Sequence, residues 1–272
     1  MRTLIRAVSL VVALQLAGGL FTGEAAASCQ AIASRPAPMP QLASVSLPLA
    51  LAKGEVGVTF VGHSSFLIES PQGVTIVTDY NDYVRPKTVP TIATMNVAHT
   101  THYSASPDPR IKHVLRGWNP TGSGPARHDL AEQDVFVRNI PTNIRAWDGM
   151  GGTLINGNSI FIFEVADLCL VHLGHLHHEL TREDLGVMGE VDVLMVPVDG
   201  GATMSQDEML AVIREIRPRM VIPMHYFGPH RLERFAQILS PHFTVRRSDA
   251  SRVVLTRQTM PDPPELLILP GY

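Results

Sequence analysis

Histidine is the residue type that stands out in this chain, with 12 among 272 residues against only two cysteines. Three apolar runs each end in histidine. Ile92–Ala98 leads into His99-Thr100-Thr101-His102. Leu170–Leu173 leads into Gly174-His175-Leu176-His177-His178, and Val221–Met224 into His225-Tyr226. Neutral imidazole nitrogens brought together at strand ends suit zinc or another borderline divalent cation. A single histidine after a strand is more often a hydrogen-bonded loop residue, so it is the repetition that points to a metal. The candidate ligands are His99, His102, His175, His177 and His225. His225 and His99 rank first, then His175 and His102. His177 can replace one of these or orient it from behind.

Other residues carry two readings each. His63 either lines the same site or fixes its turn. Asp79 either orients a ligand histidine or caps a turn, and Asp148 is either a general base or a turn residue before Gly149. Tyr103 and Tyr226 are oxyanion donors or cleft packing.

The elements that must position these groups are mostly strands. Val56–Val61 alternates, and Phe66–Ile68 and Val74–Val77 flank a Ser-Pro-Gln-Gly turn, a hairpin signal. Further strands are expected at 111–115, 134–140, 159–165, 168–173, 191–197 and 220–223, with a closing pair at 243–246 and 252–256. Helices are fewer. Ser205 and Glu208 form a capping-box pattern before Met209, Ile213 and Ile216, which share one face. Thr181 caps a shorter helix, and 230–239 reads as another. Loops at strand ends are where such a layered α/β arrangement presents a site.

Composition narrows the setting. The chain is 45% hydrophobic and 17% charged, with 22 Lys+Arg against 25 Asp+Glu. That is ordinary for a folded domain, and no basic block suggests a nucleic-acid partner. A small-molecule substrate is expected. Arg2 and Arg6, the apolar stretch from Val8 to Leu20 and Ala25–Ala27 read as a signal peptide over residues 1–27, with export to the periplasm or medium. The stretch is short for a membrane span, so no stable span is expected after cleavage. Residues 28–53 read as a linker or lead, 54–260 as the domain and 261–272 as a C-terminal tail. Cys29 reads as a lipid-attachment or disulfide candidate, and Cys169 as a buried free thiol.

Gly62-His63-Ser64-Ser65-Phe66-Leu67-Ile68, then Thr78-Asp79, resembles the opening of the metallo-β-lactamase superfamily, most nearly its ascorbate-lactonase-like branch. Val191–Pro197, Gly200-Gly201, Thr203-Met204 and Val221–Tyr226 resemble the same branch. The likeness covers about residues 56–228 and implies a four-layer αββα sandwich with a metal site at one edge of its sheets. It also implies metal-dependent hydrolysis of a small ester, lactone or phosphodiester through a metal-activated water. The departures are specific. The family's His-x-His-x-Asp-His is reduced to His99 and His102, with Ser104 and Ala105 in the place of its last members. Trp147-Asp148 stands for the family's His-Asp, and Gly174-His175 for the Gly-Asp whose carboxylate bridges two metals. These changes imply a rebuilt site for one cation, with Asp148 or a spare histidine as base. The rival readings are an exported non-catalytic metal-binding protein and a pseudoenzyme of the same fold.

Overall fold

The computed structural model describes residues 29, 51–122, 124–146 and 151–271. Two sheets pack face to face. The first is six-stranded, in the order β13-β1-β2-β3-β4-β5. It comprises β1 (Glu55–Gly62), β2 (Ser65–Glu69), β3 (Thr75–Val77), β4 (Ile92–Met95), β5 (His113–Arg116) and β13 (Arg252–Thr256). The second is eight-stranded, in the order β12-β14-β11-β10-β9-β8-β7-β6. It comprises β6 (Asp129–Glu132), β7 (Val135–Arg145), β8 (Thr153–Val165), β9 (Leu168–His172), β10 (Val193–Pro197), β11 (Met220–Met224), β12 (Thr244–Arg247) and β14 (Glu265–Ile268).

The two-residue period of the strands sorts the core into layers. In β8, Phe161 and Phe163 face the first sheet with Phe66, Ile68 and Met195. Ile160 and Ile162 face the other way, toward Met209, Ile213 and Phe235 of the helices. Those helices are α1 (Arg182–Met188), α2 (Gln206–Ile216) and α3 (Pro229–Leu239). Thr181 and Ser205 cap α1 and α2 through complete capping boxes, as their sequences predict. The α/β sandwich expected from the sequence is present. The described helices lie against the eight-stranded sheet, while loop residues such as Tyr80, Ile111 and Trp118 cover the outer face of β3 and β4.

Two expectations are corrected. Residues 261–272 are not a tail: β14 is inserted between β12 and β11, parallel to both. The prolines at 261, 263 and 264 mask the signal, but Leu266–Leu269 is an apolar run that fills both faces of the sheet. Nor is Cys169 a free thiol. It is bonded to Cys29 across 140 residues of sequence, and both cysteines are fully buried. The carbonyl of Cys29 also accepts the backbone N–H of Glu190 at 2.8 Å. Gly189, at φ +76°, makes room for it, because a Cβ there would lie 2.1 Å from the Cys29 oxygen. Cys29, within the lead, is therefore tied into the domain beside α1. Among the described residues, no helix is long and apolar enough to cross a membrane.

Candidate metal centre

The parallel run β9-β10-β11 sends three loops out of one edge of the second sheet. β3 and β4, also parallel, do the same for the first sheet. Parallel strands that end together bring residues distant in sequence to one place. His175 follows β9, Asp199 follows β10 and His225 follows β11. Asp79 follows β3, and His99 and His102 follow β4. His63 comes from the β1–β2 turn. The backbone N–H of His225 donates to the carbonyl of His63 at 2.7 Å, so the two sheets are joined at the site itself.

His63, His99, His102 and His225 each offer a ligand nitrogen, and these four atoms lie within 4.8 Å of one another. The Nε2 atoms of His99 and His225 are 3.2 Å apart, as are those of His99 and His102. Two nitrogens each about 2.05 Å from one tetrahedral zinc would be separated by about 3.3 Å. These two spacings are close to that of ligands around one ion, and no pair among the four exceeds 4.8 Å.

The far side of the rings supports this arrangement. His102 Nδ1 lies 2.5 Å from Asp79 Oδ2 and His225 Nδ1 lies 3.0 Å from Asp199 Oδ1. A carboxylate on Nδ1 fixes the tautomer that leaves the Nε2 lone pair facing the site. His99 Nδ1 is 2.7 Å from the Thr101 hydroxyl. His63 Nε2 is buried and has no hydrogen-bond partner among the described residues, which suits a nitrogen reserved for a metal.

Local backbone geometry is unusual here. His63, Asp79 and His225 all have positive φ, at 53°, 43° and 53°. Such conformations cost non-glycine residues about 1–3 kcal/mol each and concentrate at functional sites. Gly174, at φ +61°, shows a different constraint: a Cβ there would come within 2.3 Å of Asn158 Oδ1. Asn158 Oδ1 itself accepts the His175 N–H, so the glycine lets His175 reach its place.

Electrostatics keep the imidazoles uncharged. Burial, then the neighbouring rings of His225 and His99, lowers His63 to about 3. Burial likewise lowers His99 and His175 and takes His102 well down. Burial raises Asp79, against the opposing pull of His172 and of hydrogen bonds from Ser64 and Asn96. Burial also pushes Asp199 up, but hydrogen bonds from His225 and Thr203 outweigh it, leaving this carboxyl below its ordinary value. Asp199 accepts backbone N–H groups from Gly201, Ala202 and Thr203 as well, a loop wrapped around one carboxylate.

The structure gathers His99, His102 and His225 of the expected ligands. It adds His63, for which the sequence left two readings open. The His175 ring lies 4.8–5.0 Å from the rings of His99, His102 and His225. His177 is one step further out, with Nε2 2.7 Å from His175 Nδ1. Asp148 and Trp147 lie outside the described residues. Asp79 takes the orienting role rather than a bare turn-capping one. Tyr103 packs edge-on against Trp118, whereas Tyr226 lines a cavity beside His63. Ser104 donates to Asp82 and Ala105 is exposed. Thr101, lying between the two histidines, is the residue on His99 Nδ1. Asp199 was missed; its only sequence signal is an aspartate before Gly-Gly at a strand end, which reads as a turn.

Comparison with known proteins bears on the family and the fold. The family described as the beta-lactamase superfamily domain matches residues 57–225. A UPF0173 protein of Pyrococcus abyssi is 26% identical over 185 residues, covering 62% of this chain and 82% of that protein. A UPF0173 metal-dependent hydrolase of Nanoarchaeum equitans is 24% identical over 193 residues, covering 62% and 83%. A solved Thermotoga maritima structure of the metallo-β-lactamase superfamily shares the fold. Its TM-score is 0.57 at 23% identity, covering 80% of this chain and all of that one.

Proposed function

Because the chain belongs to the β-lactamase superfamily, we propose that it is a metal-dependent hydrolase working with one divalent cation, held by His63, His99, His102 and His225. The observation that carries this is the set of four ligand nitrogens within 4.8 Å of one another. An all-imidazole donor set suits zinc, which is the cation we assign. When bound, the cation supplies Lewis acidity for activating water and polarising the scissile bond. The chain's own residues set the geometry. Asp79 and Asp199 hold the Nδ1 protons of His102 and His225, so both rings present Nε2. His175 stands where the resemblance places a bridging carboxylate, and a neutral ring cannot offset the charge of a second cation. The contact of His175 Nδ1 with His177 Nε2 gives a route for a proton from the buried ring to a half-buried one. Asp79 and Asp199 are both occupied in orienting ligands, which leaves His175, His177 or Asp148 to accept the proton. The substrate class is a small ester, lactone or phosphodiester.

A second reading is favoured by the same donor set. Four imidazoles, with a fifth close by, can close the coordination shell, as in a metal-binding protein without catalysis. Elemental analysis and hydrolase assays on protein purified without a chelating tag separate the readings. One equivalent of zinc, lost in His225→Ala, with turnover of an ester or phosphodiester, is expected. One equivalent without turnover favours the closed site. Metal content unchanged in His225→Ala would remove the proposed centre.

The proposal includes export. A fully buried disulfide between Cys29 and Cys169 supports folding in an oxidising compartment, in keeping with cleavage of residues 1–27. Amino-terminal sequencing of the exported protein tests the cleavage.

A further inference from the structure

A cavity of about 180 Å³ adjoins the centre, lined by Phe60, Gly62, His63, Tyr226 and Gly271. No Lys, Arg, Asp or Glu is among the described residues that line it. Its aromatic wall is continuous with the core, since Phe60 packs on Phe66 at 4.9 Å and approaches Tyr226 at 6.3 Å. Phe227 is 66% exposed, yet its ring lies 5.8 Å from His63 and 5.4 Å from His225. A phosphoryl group placed here would find no cationic side chain among the described lining residues, whereas an aryl ring or short acyl chain would find the rings of Phe60 and Tyr226 beside the imidazole cluster.

We infer that this cavity seats the uncharged acyl or aryl portion of a small neutral ester or lactone, holding its carbonyl beside His63. The inference rests on the hydrolase reading and narrows it, setting phosphodiesters aside. Gly271 controls the room available: a Cβ there would lie 2.7 Å from Phe60 Cε1, so any larger residue must displace a ring that lines the cavity. Phe227, at the exposed side of the cluster, covers the seated group.

The test uses the mature, zinc-loaded protein with 4-nitrophenyl acetate, butyrate, phenylacetate and octanoate, and bis(4-nitrophenyl) phosphate. The expected preference is for butyrate and phenylacetate over acetate by at least tenfold, with octanoate and the phosphodiester poor. Gly271→Val should lower the phenylacetate-to-acetate ratio about tenfold, and Phe227→Ala should raise KM for phenylacetate more than it lowers kcat. Thermal melts identify a variant that does not fold, and exposed Phe227 provides the second probe. Benzyl alcohol titrated into the metal-free protein, followed by the aromatic NMR signals of Tyr226 and Phe227, gives a readout independent of turnover. Binding that weakens in Gly271→Val, without hydrolysis of any ester, would support the cavity and overturn the hydrolase. Ester hydrolysis with a selectivity indifferent to both substitutions, or with the phosphodiester preferred, would overturn the inference and leave the hydrolase standing.

Discussion

His102 and His225 differ from His63 and His99 in what lies behind them. The first pair is fully buried, one from each sheet, and each ring is held by a buried aspartate. The second pair is half-buried; His99 rests on a threonine hydroxyl, and His63 Nε2 has no protein partner among the described residues. Carboxylate-backed rings cannot turn without giving up their contact with a buried acid, whereas the other two can adjust. The centre therefore has a fixed half that defines where the cation sits and an adaptable half that closes around it.

The sharpest way to break this contrast is to remove ligands from the fixed half. His102→Ala and His225→Ala should each weaken zinc binding by more than about a hundredfold, beyond the usual effect of losing a supporting group. Competition titration with a chromophoric chelator measures it. Next come the aspartates. Asp199→Asn and Asp79→Asn should lower zinc affinity on the order of ten- to a hundredfold. Asp199→Asn should also loosen the 199–203 loop, seen as faster hydrogen exchange at Gly201–Thr203. Equal losses for His63→Ala and His225→Ala would erase the contrast; the expected loss for His63→Ala is on the order of tenfold.

The pH response is smaller and has a defined sign. His63, ordinarily near 6.5, is lowered to about 3, and His177 to about 4, in each case chiefly by burial. The unfolded chain takes up these protons before the folded one does. The stability of the metal-free protein is therefore whole above about pH 6.5 and drains as pH falls toward 4 and then 3. Melting temperature should fall across that range, and a flat profile would mean that these rings are not held neutral by the fold. Thr101→Val should have the least effect, within about threefold in zinc affinity, because a hydroxyl on Nδ1 orients more weakly than a carboxylate.

Much of this was legible in the sequence because it is local. His99, His102 and His225 each follow an apolar strand, and the capping boxes of α1 and α2 are contained in four residues. What was illegible depends on distance or on ambiguous turn chemistry. His63 follows a glycine in a hairpin, where a histidine has no periodic mark. Asp199 precedes two glycines and looks like any turn aspartate until Thr203 and His225 are seen folded onto it. The Cys29–Cys169 pair spans 140 residues. The strand β14 hides behind three prolines.

That strand has a bearing on how the molecule is made. β14 comes last among the described strands, yet it sits between β12 and β11, whose end carries His225. While residues 265–268 are still inside a ribosome, the eight-stranded sheet has a gap next to the strand that delivers a ligand. The nascent chain cannot complete this sheet until residues 265–268 have emerged.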